Sequence, residues 1–502
     1  VSEGPTAAKV ERLRLLDRVF SFPAAICFLL MVLATFTCRS RFDDPDMWWH
    51  LKLGETIWTT HTIPSSDLLS YTTAHHAYLD HEWLAQTCIY AAYHLGGYSG
   101  LMLWLCCVCS AILVAGYVLC SLYSGNAKVA FLGALAIWLF ATIGFSVRPQ
   151  LIGYLLLIVE LLLLHLGRTR DPRWFFGLPP VFCVWVNCHG SFFFGAALAG
   201  ALLFSSCFSF QSRWIEAPRW EPRSRQILAW AFLLSVAALF LNLVGPGLVV
   251  YPLNALLFPS AGVGIGVVSE WQPVQFSEPR GIALLGLLGC IVLVLALRRS
   301  RLLFHELLWL IPAAWLAVSH RRLLFPFGIV AAPALCRLLG SSWEGYDAQR
   351  DRRMPNLVLM AGSMLVAYSA FPSSRNLSAQ VEERSPVKAV DFIKSHHLTG
   401  PMMNEWVYGG YLIWAAPEYP VFIDGRADIF QWTGVLSEYG AWIQGQSDPN
   451  LLLDRYQINF CLLKRDSKME NLLPMLHGWR LAYSDDNSLI FIRSRPLADT
   501  AN

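Results

Sequence analysis

Long apolar runs follow one another along the chain, and polar residues are confined to the breaks between them. The runs fall near 19–38, 98–122, 127–146, 151–167, 175–187, 191–208, 227–244, 281–297, 302–319, 323–339 and 355–371. Roughly 20 apolar residues let an α-helix cross the hydrocarbon of a bilayer, so the pattern predicts about eleven transmembrane helices. The stretch 175–210 is too long for one crossing. Asn187, Cys188, His189 and Gly190 interrupt it, which predicts two helices meeting at a polar turn. The first run follows basic residues and carries no A-x-A cleavage signal, so it reads as an uncleaved first helix.

Two segments break this rhythm. Segment 39–97 contains DDPDMWWHLKLGETIW, a turn at Pro64–Ser66 and YLDHEWLAQTCIYAAYHL. Trp48, Leu51, Glu55 and Trp58 in one stretch, and Trp83, Cys88 and Ala91 in the other, recur at helical spacing, which predicts two helices lying at the membrane interface. Segment 372–502 has ordinary composition. It alternates strand-like runs (GPMMNE, PVFIDG, INFCLLK, WRLAYSD, SLIFIR) with helical ones at 386–396, 449–456 and 467–475. The expected fold is a polytopic α-helical membrane domain over 1–371, followed by a small α/β domain over 372–502.

Composition strengthens the membrane reading. Of 502 residues, 55% are hydrophobic and only 15% charged, well short of the ~25% charge typical of soluble domains. A soluble enzyme, a disordered chain and a collagen-like chain are excluded. The net charge of +3 gives no sign of nucleic acid as a partner, but the placement of the charges is informative. Basic clusters at 9–18, 168–173, 213–225, 298–301 and 350–353 fall on one set of alternating loops, while the other set is sparse in Lys and Arg. By the positive-inside rule the rich set is cytoplasmic. Loops 209–226 and 341–354 are then inside, and 39–97 and 372–502 are outside. Most of the 13 cysteines lie in apolar runs, and no CxxC pair is matched by a second, so neither a zinc site nor a disulfide framework is expected.

Polar residues near the membrane are costly and are candidates for chemistry. The densest group is Asp43, Asp44, Asp46 and His50, directly after the first run. Its carboxylates repel one another unless a cation or a shared proton relieves them, which suits a general base, a divalent-metal ligand, or both. A helix N-terminus capped by Asp44-Pro45-Asp46 explains the same residues and is compatible with either role. A second group, His75, His76, Asp80, His81 and Glu82, could cap the next helix or contribute to a metal site, although its spacing fits no zinc-hydrolase pattern. The outside turns SVRPQL, WVNCHGSF, SEWQP and SHRRLLF present Arg148, Asn187, His189, Glu270, Trp271, His320, Arg321 and Arg322. Arginines outside run against the charge bias and suit a phosphate, whose oxygens match the guanidinium fork; snorkelling is the plainer account of Arg321 and Arg322. In VFIDGRADIF, Asp424, Arg426 and Asp428 read first as an Asp-Gly turn with an Asp–Arg pair.

Together the motifs DPDMWWHLKLGE, DHEW, RPQL, VNCHGSFFFG and GGYLIW…PVFIDGRADIF, in this arrangement of loop, spans and tail, resemble the GT-C class of membrane glycosyltransferases, in a bacterial branch related to protein O-mannosyltransferases. The resemblance covers nearly the whole chain. It implies transfer of a sugar from a polyprenyl-phosphate donor to an acceptor glycan, lipid or protein at the outer face of the bacterial cytoplasmic (inner) membrane. It also implies an inverting displacement with an acidic base early in the first outside loop, which by position falls on Asp44 or Asp46. The O-mannosyltransferases carry Asp-Glu there, whereas this chain has DDPD, which leaves the acceptor and a divalent cation (Mg2+ or Mn2+ at Asp44 and Asp46) open. No WWDYG-type motif occurs in the tail, which disfavours whole-oligosaccharide transfer to asparagine. On this expectation Asp44 takes the acceptor proton, Asp46 binds a cation or orients its helix, and Arg148 holds the lipid phosphate. His50, His81, Glu82, Asn187, His189, Arg321 and Arg322 complete the substrate site. The rival expectation is a non-catalytic membrane scaffold or assembly subunit that docks partners through the outside loop and tail. A transferase needs Asp44, Asp46 and Arg148 to line one site; a scaffold leaves them apart or plugged.

Overall fold

Each of the eleven apolar runs folds as a helix. The computed structural model describes residues 19–42, 44–257, 269–298, 300–347 and 349–494; Asp43, Arg299 and the basic residues Lys9, Arg12, Arg14 and Arg18 lie outside them. The membrane-domain helices are α1 (Phe22–Cys38), α2 (Met47–Thr60), α3 (Trp83–Ser124), α4 (Ala127–Ala141), α5 (Gln150–Thr169), α6 (Leu178–Val186), α7 (Phe192–Ser205), α8 (Pro222–Ala238), α9 (Gly247–Leu257), α10 (Pro279–Arg298), α11 (Phe304–Ser319), α12 (Leu324–Leu339) and α13 (Arg353–Ala370). By length and hydropathy four helical stretches suffice to cross a membrane, 83–124, 150–169, 279–298 and 321–342, with a fifth if α13 and the bent helix after it form one span. That is fewer than the about eleven crossings expected, because caps and breaks trim the other apolar runs: Ser21 and Pro23 delay α1, and the 187–191 turn shortens α6 and α7.

Segments with the same expected sidedness meet at the same end of the bundle. At the end expected inside, the Phe22 N–H donates to Asp351 (2.7 Å), Asn126 Nδ2 to the Trp343 carbonyl (3.0 Å) and Arg301 Nε to the Ser212 carbonyl (2.9 Å). Three short strands, β1 (Phe210–Gln211), β2 (Ile215–Ala217) and β3 (Leu302–Leu303), also pair there. The two helices expected in 39–97 form, with one difference: the second is continuous with the following span as α3. It bends at Gly96 and Gly97, where Gly97 takes φ 57°, a left-handed conformation that glycine reaches without a Cβ clash.

The tail builds a four-stranded sheet ordered β4-β5-β7-β6: β4 (Met402–Asn404), β5 (Phe460–Lys464), β6 (Trp479–Ser484) and β7 (Ser488–Arg493). β4 runs parallel to β5 (Met402 opposite Phe460), and β7 antiparallel to both β5 and β6. Seven helices surround it: α14 (Ser374–Arg384), α15 (Val387–Ser395), α16 (Trp406–Ala415), α17 (Ala427–Trp432), α18 (Val435–Ile443), α19 (Pro449–Arg455) and α20 (Lys468–Leu472). PVFIDG, expected as a strand, is not one. The Asn404 side chain takes the N–H of Phe422 (2.8 Å) and donates to the Ile423 carbonyl (2.8 Å), while Val421 bridges Ser70 of the outside loop. Its backbone partners therefore come from a side chain and another segment.

The tail does not stand apart from the membrane domain. Helix α16 lies across α2, and Trp48 packs edge-on against Tyr411 with ring centroids 5.1 Å apart. Gly410 permits the approach: an added Cβ there would overlap the Pro45 carbonyl and stand 3.5 Å from Trp48 Cβ. Trp48 and Trp49 are consequently buried at 3% and 7% exposure. Both lie under the tail, Trp48 against α16 and Trp49 beside Gly425.

Candidate active site

Five acidic and basic side chains, from four separate segments of the chain, meet at the end of the bundle expected outside. Asp44 and Asp46 come from the turn entering α2. The Asp44 carboxylate accepts the Asp46 N–H (3.0 Å), an Asx-type turn, so Asp44 supplies the local cap and the Asp46 side chain makes no capping bond. Arg148 sits in the turn before α5, where Pro149 suits the fixed φ of a helix start. Its Nε donates to Asp44 Oδ2 at 2.6 Å, one terminal nitrogen lies 3.1 Å from Asp46 Oδ2, and the other 3.3 Å from Glu270 Oε1. Arg322, from the turn before α12, donates to Gln150 Oε1 (2.9 Å), stands 3.8 Å from Glu270 and lies over the Trp271 ring. Asp44, Asp46 and Arg148 thus converge in direct contact, and the solvent-facing side is formed by Glu270 and Arg322, whose side chains are 37% and 28% exposed.

The charges do not balance. Three carboxylates meet two guanidinium groups, and of these five Asp44, Asp46 and Arg148 are the ones largely withdrawn from solvent. Burial raises both aspartate pKa values, but for Asp44 the charge and hydrogen bond of Arg148 outweigh burial and hold the carboxyl below its usual range. Asp46 has the longer contact and two carboxylate neighbours; burial together with repulsion from Asp44 and Glu270 outweighs Arg148 and pushes it up to about 6. Asp44 is therefore a committed anion and Asp46 a carboxyl that titrates near neutrality.

Beside this cluster Glu82 is surrounded by imidazoles: His189 Nε2 at 3.5 Å, and His50 Nδ1 and His81 Nε2 each at 3.7 Å. Burial, only partly offset by Arg322, raises Glu82 to about 8, and burial raises Asp80 to about 7. Burial is also the first cause that lowers the pKa values of His50, His81 and His189. Near pH 7 Glu82 is mostly protonated and its three histidines are neutral, while Asp80 is at its midpoint. Among the described residues no three His, Cys, Asp or Glu side chains form a set able to hold a metal ion. At Asp44 and Asp46 the Arg148 guanidinium takes the position facing both carboxylates, where a cation would have to sit.

The remaining expectations sort by contact. His50, His81, Glu82 and His189 assemble as described. Asn187 is a brace: its amide accepts from Trp83 Nε1 (2.8 Å) and donates to the Cys183 and Leu241 carbonyls, so both donors and one acceptor site are committed to the fold. Arg321 turns away and pairs with Glu278 at 2.6 Å. His75 and His76 are exposed. Arg148, expected to hold a phosphate, has three carboxylate partners. Gln86 beside His50 (3.5 Å) and Gln150 beside Arg322 were missed, since nothing distinguishes them from other polar residues on helix faces. Glu270 was visible in SEWQP but carried no sign of which arginine it would meet.

No family model and no curated protein sequence matches the chain; the comparison with solved structures does find relatives. The chain shares its fold with an archaeal oligosaccharyltransferase and with ArnT. The oligosaccharyltransferase of Archaeoglobus fulgidus, solved with a tethered acceptor peptide, superposes with a TM-score of 0.55 at 13% identity over 93% of this chain and 74% of that one. The same enzyme with an inhibitory peptide and a dolichol-phosphate gives a TM-score of 0.52 at 13% identity, again over 93% and 74%. ArnT of Cupriavidus metallidurans in the apo state gives 0.50 at 11% identity, over 97% of this chain and 98% of that one. At these identities the likeness speaks for the fold alone.

Proposed function

We propose that this chain transfers a sugar from a polyprenyl-phosphate donor to an acceptor at the outer face of the bacterial cytoplasmic membrane, crossing it about eleven times with the 39–97 loop and the tail outside. One observation carries the reading: in a fold shared with transferases solved with an acceptor peptide and a dolichol-phosphate, one buried arginine organises three carboxylates, and one of these, Asp46, titrates near neutrality. In an inverting displacement the acceptor hydroxyl attacks the anomeric carbon as the phosphate leaves. Asp46 takes the hydroxyl proton, a step worth ~10²–10⁴-fold in rate for a positioned base. Asp44 is too firmly held by Arg148 for that role and anchors the guanidinium instead. Arg322 has fewer anionic contacts than Arg148 and borders the open side, so it meets the leaving phosphate. Glu82 and its histidines offer neutral hydrogen-bond partners to sugar hydroxyls.

The test is transfer from polyprenyl-phosphate sugars in nanodiscs to a panel of glycan, lipid and peptide acceptors. Asp46→Asn is expected to lower the rate at least ~10²-fold with the fold intact. Wild-type turnover in Asp46→Asn removes the base, and the absence of transfer by the wild-type protein to any acceptor favours the scaffold.

A further inference from the structure

The tail contributes a turn to this site that none of the steps above uses. Arg426 is 3% exposed. It forms two bonds with Asp424 (Nε–Oδ1 2.8 Å, Nη2–Oδ2 2.6 Å), and its Nη1 donates to Asp67 Oδ1 at 2.6 Å. Asp67, in the outside loop, also accepts from the Leu69 N–H (3.0 Å) and from the hydroxyls of Ser70 and Thr73. Further bonds hold the same two segments together: Thr72 Oγ1 donates to the Phe422 carbonyl (2.6 Å) and Tyr71 OH to that of Met402 (3.0 Å). Just beyond, Asp428 accepts from Tyr251 OH at 2.8 Å, and the Tyr251 ring lies 4.9 Å from His81. A dry set of one guanidinium and two carboxylates is no more stabilising than apolar packing of the same volume. What it does well is fix where the chain runs.

The chain it fixes is Gly425, between the two ion-paired residues. A Cβ added at Gly425 would overlap Asp46 Oδ1 outright and stand 3.0 Å from Trp49 Nε1. The backbone of the tail therefore lies against one oxygen of Asp46, while the other oxygen faces Arg148. The groups around Asp46 are then Arg148, Asp44, Glu270 and the Trp49 indole from the membrane domain, and the Gly425 backbone from the tail.

We infer that the C-terminal domain is a working part of the site: the Asp424–Arg426 turn, locked by Asp67, is a positioning element that holds the Asp46 carboxylate in line with Arg148. The inference rests on the transferase reading only for the consequence of that positioning, since the geometry can be tested on the carboxyl itself. Moving the carboxylate off Arg148 removes its cation and makes the proton harder to lose.

A hydrophobic carbodiimide modifies carboxyl groups in proportion to their protonated fraction, and peptide mass mapping reads the modification at Asp46 in the full-length protein as pH is varied. Gly425→Ala is expected to raise the Asp46 midpoint by about one pH unit and to slow transfer by at least ~10-fold with donor KM unchanged. Arg426→Lys, which cannot reproduce the fork that spans Asp424 and Asp67, is expected to raise the midpoint by a smaller amount. A folded variant of either kind with the wild-type midpoint overturns the inference. So does failure of both variants to fold, which would assign the turn to folding alone. A raised midpoint in a protein whose wild type transfers no sugar would sink the transferase reading and leave the positioning standing.

Discussion

Asp46→Asn is expected to stabilise the protein while disabling it. In the folded chain burial and the neighbouring carboxylates lift Asp46 to about 6, against ~3.9 for a free aspartate. A raised carboxyl pKa favours the folded state while the proton is on. That contribution is complete below the unfolded value and is lost as pH rises through about 6. The shift is roughly two units, and at ~1.4 kcal/mol per unit the charged form costs the folded protein up to ~3 kcal/mol. The side chain is 17% exposed and shares its titration with Asp44, which brings the expected cost to about 1–3 kcal/mol. Asparagine has nearly the same shape and no proton to lose. Asp46→Asn should therefore melt with the wild type near pH 4 and above it at pH 8, with the gap opening between the two. The assay is thermal unfolding of the detergent-solubilised pair, followed by tryptophan fluorescence across that range, with transfer measured in parallel. A variant less stable than wild type at pH 8, or a gap that does not change with pH, would refute the assignment of the raised carboxyl to Asp46.

Arg148 and Arg322 should separate kinetically. Arg148→Lys keeps one charge but loses the fork reaching Asp44, Asp46 and Glu270, so kcat should fall and apparent stability should drop by about 1.5–3 kcal/mol, the scale of a lost hydrogen bond to a charged group. Arg322→Gln should mainly raise the donor KM, and equal effects of the two changes on KM would contradict the division of labour. On topology, a cysteine replacing the exposed Ser374 in α14 should react with an impermeant maleimide in intact cells; labelling only after lysis would reverse the orientation.

Much of the architecture was legible in the sequence because bilayer-length apolar runs have only one stable backbone solution in lipid, the helix. The positions of the helices, the small sheet of the tail and the strand runs INFCLLK, WRLAYSD and SLIFIR all follow from local pattern. The acidic group after the first run and Arg148 were visible as polar residues in costly places. Their partners were not visible, because pairing depends on which loops meet in space. Arg148 might equally have faced a phosphate; only the fold puts three carboxylates around it, and with them the different protonation of Asp44 and Asp46. Asn187 and Arg321 carried the same signal as His189 and Arg322, and only packing separates brace from site. The largest tertiary decision concerns the tail. DGR reads as turn chemistry in one dimension and GGYLIW only as part of a motif, yet Gly410 and Gly425 are small because the Pro45–Trp48 turn and the Asp46 carboxylate occupy the space where a side chain would go. Local pattern records how a segment satisfies its own backbone. Which distant surface it must leave room for is decided when the two meet.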